Sequence, residues 1–257
     1  MLITSLNIQA NQPVTSNQSI KPIFILQQAN NIPLSTFVQR WPQLEKCIST
    51  QKKLKSVNKS CLTSLLTTNV KAATLNLESQ IARNNGNNQH AIELISKAIE
   101  IEPKQDLHYF QLAINNYQQL LKSTSGREKW MLSMATAKAY KKAFELDPTQ
   151  FHYRYYITYN YLQVPEAMGG SKQKALDLAN EAIAQGYVAF HPVRADILNA
   201  MNKKQEALDA YVLALESRQY KRSSFKKAMV LAKNDPKLSD HFRQFIQQAE
   251  TIISKKS

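Results

Sequence analysis

The residues best suited to chemistry in this 257-residue chain gather in one stretch. Phe151-His-Tyr-Arg-Tyr-Tyr-Ile-Thr-Tyr-Asn-Tyr161 holds five of the eleven tyrosines within nine residues. A phenol offers an apolar ring and a hydrogen-bonding tip, which suits it to holding a partner more than to transforming a substrate. The same rings also suit a core between helices, and the spacing of Tyr153, Ile157 and Tyr161 assigns those three to it at least in part. Two cysteines, Cys47 and Cys61, are near enough in sequence to join in a disulfide. A pair of buried free thiols is equally ordinary.

Motifs for catalysis are otherwise missing. His90, His108, His152, His191 and His241 are scattered, with no second ligand at metal spacing. Gly169-Gly170 is not followed by Lys-Ser or Lys-Thr, so no phosphate loop forms there. No nucleophile elbow occurs, and no Cys–His pair has local support. Glu100 and Glu102 precede Pro103, and Glu145 and Asp147 precede Pro148, as solvated carboxylates at helix ends do. The expectation is a chain that is not an enzyme, with no catalytic residues, no metal and no cofactor.

The elements that would position the tyrosines are helices. All five glycines (Gly86, Gly126, Gly169, Gly170 and Gly186) stand where turns between helices are expected. The apolar share of 43% is that of a globular chain, and no stretch approaches a membrane span. Residues 11–33 are rich in Asn, Gln, Ser and Pro, with only Ile23-Phe-Ile-Leu26 to bury, so residues 1–33 read as a flexible or extended tail. Residues 1–10 resemble the end of a secretory signal, although the basic start is missing and the apolar part is short. Two short helices are expected at 42–51 and 59–68, within a basic segment 34–69.

From residue 70 apolar and small residues recur at helical spacing in paired blocks. Helices are predicted at 70–84 and 88–101, at 106–122 and 127–146, and at 203–216, where Asn202 and Gln205 have a capping-box spacing. A last pair, 219–233 and 239–254, is split by Asn234-Asp-Pro236. The blocks share a register. Ser79, Ala91, Ile95, Ala98 and Pro103 recur as Ala113, Ala137, Tyr140, Ala143 and Pro148. They recur again as Thr158, Ala175, Ala179 and Ala182, and then as Ala195, Ala207, Tyr211 and Ala214. Small side chains at these places let helix backbones approach, and proline ends the second helix.

This register resembles the tetratricopeptide repeat. The resemblance implies an all-α fold, an α-solenoid of antiparallel helix pairs wound as a right-handed superhelix. Four pairs would fill 70–217, with extra N-terminal helices before them and a basic C-terminal capping helix pair in 218–257. It also implies an inner face lined by Phe110, Ile114 and Tyr117 from one pair, and His152, Tyr155, Tyr159 and Leu162 from the next, with Leu107 beside the first set. Such an apolar and phenolic trough would bind a protein or peptide, making the chain an interaction scaffold or adaptor. Tyr155→Ala and Tyr159→Ala would then weaken capture with folding nearly intact. The clamp that holds acidic chaperone tails is not expected, because its places hold Asn76, Gln80, Gln111, His152 and Tyr156.

Val164-Pro-Glu-Ala-Met-Gly-Gly-Ser171 is similar to a connection in a group of bacterial tetratricopeptide proteins, many of them exported. That implies a periplasmic or otherwise exported chain, with the cytoplasm as the alternative. The net charge of +14 sits mostly at the two ends. Arg40, Lys46, Lys52, Lys53, Lys55 and Lys59 lie at one, and Lys221, Arg222, Lys226 and Lys227 at the other. A second reading follows, in which these ends bind nucleic acid or an anionic surface.

Overall fold

The computed structural model describes residues 32–48, 59–215 and 221–233, and these residues contain no strand. They fall into two compact units, divided between Tyr153 and Arg154. The first unit holds α1 (Leu34–Arg40), a 3₁₀ turn at Pro42–Leu44, α2 (Glu45–Ile48), α3 (Lys59–Leu65), α4 (Lys71–Asn84), α5 (Asn88–Ile101), α6 (Asp106–Lys122) and α7 (Gly126–Leu146). The helix α8 (Phe151–Gln163) begins in this unit and continues into the second. There follow a 3₁₀ turn at Glu166–Met168, α9 (Lys172–Ala184), α10 (Phe190–Ala200), α11 (Lys204–Leu215) and α12 (Lys221–Lys233).

Within each unit the helices pack on their neighbours in sequence, as the helix pairs of an α-solenoid do. In the first, α4 packs on α5, α5 on α6 and α6 on α7; in the second, α9 packs on α10, α10 on α11 and α11 on α12. The small residues of the repeat register explain how. Ser79, Ala91, Ala98, Ala113, Ala143, Thr158, Ala175, Ala179, Ala182, Ala195, Ala207 and Ala214 all have no exposed surface. A larger side chain at any of them would hold two helices apart. Ala137 departs from this: Thr136, a full turn before Tyr140, takes the buried place, and Ala137 is half-buried.

Local chemistry sets the helix ends. Asn87, Ser125 and Ser171 accept hydrogen bonds from the backbone N–H groups of His90, Glu128 and Lys174, which caps α5, α7 and α9. Gly86, at φ 86°, closes α4, with the Asn87 N–H donating to the Ala82 carbonyl. In the loop before α9, a Cβ on Gly170 would lie 1.7 Å from the Val164 carbonyl oxygen, so only glycine fits.

Three expectations change here. Residues 34–40 form a helix that the sequence pattern did not single out, because a seven-residue stretch with Thr36 and Val38 has little propensity of its own. Residues 42–48 form a 3₁₀ turn and one short helical turn in place of a continuous helix. Asn202 does not cap α11. It adopts φ 62° and closes α10, with the Lys203 N–H donating to Leu198, and the first bond of α11 runs from Ala207 to the Lys203 carbonyl. The tail before residue 32, the end of the 42–51 helix and the helix at 239–254 lie outside the described residues.

Candidate functional site

The second unit has its polar groups converging on Asp196, in the second turn of α10. Its Oδ1 accepts from the Tyr211 hydroxyl at 2.6 Å and from Lys227 Nζ at 2.7 Å. The Tyr159 hydroxyl approaches Oδ2 at 3.5 Å. Burial, then the Asp196 charge, raise both phenols above their ordinary pKa, so each remains a neutral donor. Around this carboxylate opens a pocket of about 490 Å³, lined by Asn199, Lys204, Tyr211, Lys226, Val230 and Leu231. Its wall is mostly apolar. Val230 is 60% exposed there and Met229, its neighbour on α12, is 41% exposed. Lysines 204, 226 and 227 place positive charge at the rim.

Behind the pocket stands an aromatic core. Tyr155 has no exposed surface, and its ring lies 4.9 Å from Tyr159 and 5.9 Å from Phe190, centroid to centroid. It holds Tyr159 in place and offers no surface of its own.

The seven residues assigned to a trough therefore divide. Phe110, Ile114 and Tyr155 are buried, because the Phe110 ring packs against Tyr140 and Tyr153 and Tyr155 is enclosed by its own unit. His152, Tyr159 and Leu162 are half-buried, and Tyr117 is 42% exposed. Phe110, Ile114 and Tyr155 are thus corrected from contact residues to core. Only Tyr159 reaches the polar centre at Asp196. That centre was missed because a lone Asp on a helix gives no sequence signal; its partners come from α8, α11 and α12.

In the first unit the corresponding places of α4 carry amides rather than rings. Gln80, fully buried on α4, accepts from the Ile32 N–H at 2.7 Å and donates to the Ile32 carbonyl at 3.0 Å. Asn76, one turn earlier, meets His108 Nδ1 at 2.7 Å, and the Trp41 indole stacks on that imidazole with centroids 5.7 Å apart. Burial pushes His108 down to about 4, with Asp106 opposing and Arg40 assisting. Arg40 forms a two-pronged ion pair with Asp106 and also donates to Gln105, while Tyr153 donates to Asp106 at 2.7 Å. Burial disfavours the Arg40 charge, but hydrogen bonding and attraction from Asp106 outweigh it and raise its pKa. Deeper in, Asn115 donates to Ser79 and to the Ala91 carbonyl and accepts from Arg83 and Gln111. Cys47 and Cys61 are joined as a disulfide, their Cα atoms 5.7 Å apart.

No group of three or more His, Cys, Asp or Glu among the described residues could hold a metal ion, and no described helix is long and apolar enough to cross a membrane. Of the basic ends, Arg40 is engaged by Asp106 and Lys227 by Asp196. Lys52, Lys53 and Lys55 lie outside the described residues, as do the side chains of Lys59, Lys221 and Arg222.

No protein-family profile matches the sequence. No curated protein matches it either. A solved structure with a similar arrangement is that of a thermophilic TPR protein from Thermus thermophilus. It is 16% identical, with 80% of this chain and 98% of that one aligned, at a TM-score of 0.49. The likeness is one of backbone outline.

Proposed function

We propose that the chain is a non-catalytic interaction scaffold of tetratricopeptide type, and that the pocket around Asp196 takes a segment of a partner protein. The observation that carries this reading is the combination of an open, apolar-walled pocket with an oriented carboxylate at its floor and three lysines at its rim. Apolar wall and fixed polar groups are what a peptide site needs, the first for affinity and the second for register. Asp196 is already saturated by phenol and ammonium donors, which leaves it as a positioning group for Lys227 and Tyr211 rather than as an acid or base. The rim favours a partner segment with an apolar side chain beside acidic ones. The joined cysteines fit an oxidising compartment, in line with export.

The test compares affinity capture from the native host by the wild type and by a Lys227→Ala/Val230→Asp variant. Both substitutions are on exposed positions of α12, so the variant should keep its helical signal and its melting temperature. A protein held by the wild type and lost by the variant supports the reading. A partner held equally by both places the contact elsewhere and rejects this pocket.

A further inference from the structure

We propose that residues 32–41 are a built-in ligand of the first unit: a displaceable segment that occupies the inner-face positions of α4 and the start of α6, where a peptide of the same chemistry would otherwise bind. The inference rests on the reading that inner faces of this fold take peptides, but concerns a different unit from the Asp196 pocket.

The contacts have the form of peptide capture. Gln80 holds both the N–H and the carbonyl of Ile32, a two-point grip on main chain that any extended peptide could satisfy. Side-chain anchors follow at wider spacing. Ile32, Phe37 and Trp41 are 2%, 0% and 8% exposed, and Trp41 lies flat on His108. Arg40 supplies the charged anchor, its guanidinium forked onto Asp106, the first residue of α6. Large apolar groups, one stacked aromatic and one forked Arg are the pattern in which binding energy concentrates.

The segment also lacks what would make it part of the repeat. At seven residues, α1 is too short to hold a helix unaided, so its helicity depends on docking. The helix pairs α4–α5 and α6–α7 also pack directly on each other, α5 on α6, in contacts that do not involve the segment. Downstream, the Cys47–Cys61 disulfide ties the segment back to α3, which packs on α4. That tether keeps its effective concentration high, so occupancy in cis does not require intrinsically tight binding.

The occupant hides the sites it uses, and the apparent affinity for a peptide in trans is reduced by the occupied fraction. The experiment uses the full chain and a fluorescein-labelled peptide of residues 32–44, followed by anisotropy under oxidising conditions. An Arg40→Ala/Trp41→Ala chain should bind the peptide at least tenfold more tightly than the wild type, and Gln80→Ala added to it should remove the gain. A folded double variant that binds the peptide no better than the wild type overturns the proposal. Hydrogen exchange on the wild type decides the matter should that variant fail to fold. Amides 34–41 exchanging at least tenfold faster than those of α5, by local opening, support a docked ligand. Exchange as slow as α5 makes the segment ordinary core and overturns it. Neither result alters the outcome of the Lys227→Ala/Val230→Asp capture, so failure here and failure of the scaffold reading are distinguishable.

Discussion

The two units solve the problem of a helix-pair inner face with opposite chemistry. In the first, α4 and the start of α6 carry amides and an imidazole (Asn76, Gln80, Gln111, His108), all buried and each with at least one partner within the chain, beside the buried Phe110 and Ile114. In the second, the phenols of Tyr159 and Tyr211 range on one carboxylate beside an open pocket. A buried amide costs about 1–3 kcal/mol for each unmet donor or acceptor; Gln80 meets both with the main chain of Ile32, whereas Asn76 Oδ1 and Gln111 Oε1 are enclosed without a hydrogen-bond partner. A phenol buries its ring and needs one partner only, so the second unit can leave apolar wall exposed beside a satisfied polar floor. One repeat register thus accommodates a closed face and an open one.

The largest way to break this contrast is at the ion pair that holds the closed face. Asp106→Ala removes the acceptor shared by the half-buried Arg40 guanidinium and the Tyr153 hydroxyl, leaving Arg40 only Gln105 and the longer pair to Asp147, and should cost about 3 kcal/mol in urea unfolding. Tyr155→Ala should cost about as much in the second unit, because it empties an aromatic core. A loss under about 1 kcal/mol would return Tyr155 to the surface. The closed face should also be pH-sensitive. His108 is held neutral in the folded state down to about 4, whereas an unfolded imidazole titrates near 6.5. The unfolded chain therefore binds more protons between these values, and stability should fall as pH drops through that window, by roughly 3 kcal/mol at most. His108→Gln should flatten part of the slope in urea titrations; His152, whose Nδ1 is enclosed and whose pKa burial lowers in the same way, retains the rest. Gly170→Ala, with its Cβ set against the Val164 carbonyl, should lower stability by about 2 kcal/mol. Lys227→Ala, which gives up a half-exposed ion pair to Asp196, should lower it by no more than about 1 kcal/mol, and Val230→Asp, at an exposed position, should change it by no more than about 0.5 kcal/mol.

The fold was more legible in the sequence than the site. Ser79, Ala91, Ala113, Thr158, Ala179 and Ala207 announce close helix packing by size alone, and Pro103 and Pro148 announce the stops, because these are local steric facts. Whether a ring faces inward or outward is not local. Tyr155 and Tyr159 stand one helical turn apart with the same residue type, and only the position of Phe190 and Asp196 separates core from pocket. The grip of Gln80 on Ile32 spans 48 residues and uses main-chain atoms, which carry no sequence signature at all. Asn202 looked like a helix cap because Asn suits both an N-cap and a left-handed turn, and the spacing to Gln205 does not decide between them.

Hydrogen exchange on the full chain, with and without the partner recovered by capture, tests the contrast between the two faces most directly. The account predicts new protection over residues 196–231, with 32–41 and α4 unchanged. Protection confined to α4 and α6, with 32–41 released and 196–231 unaffected, would contradict it.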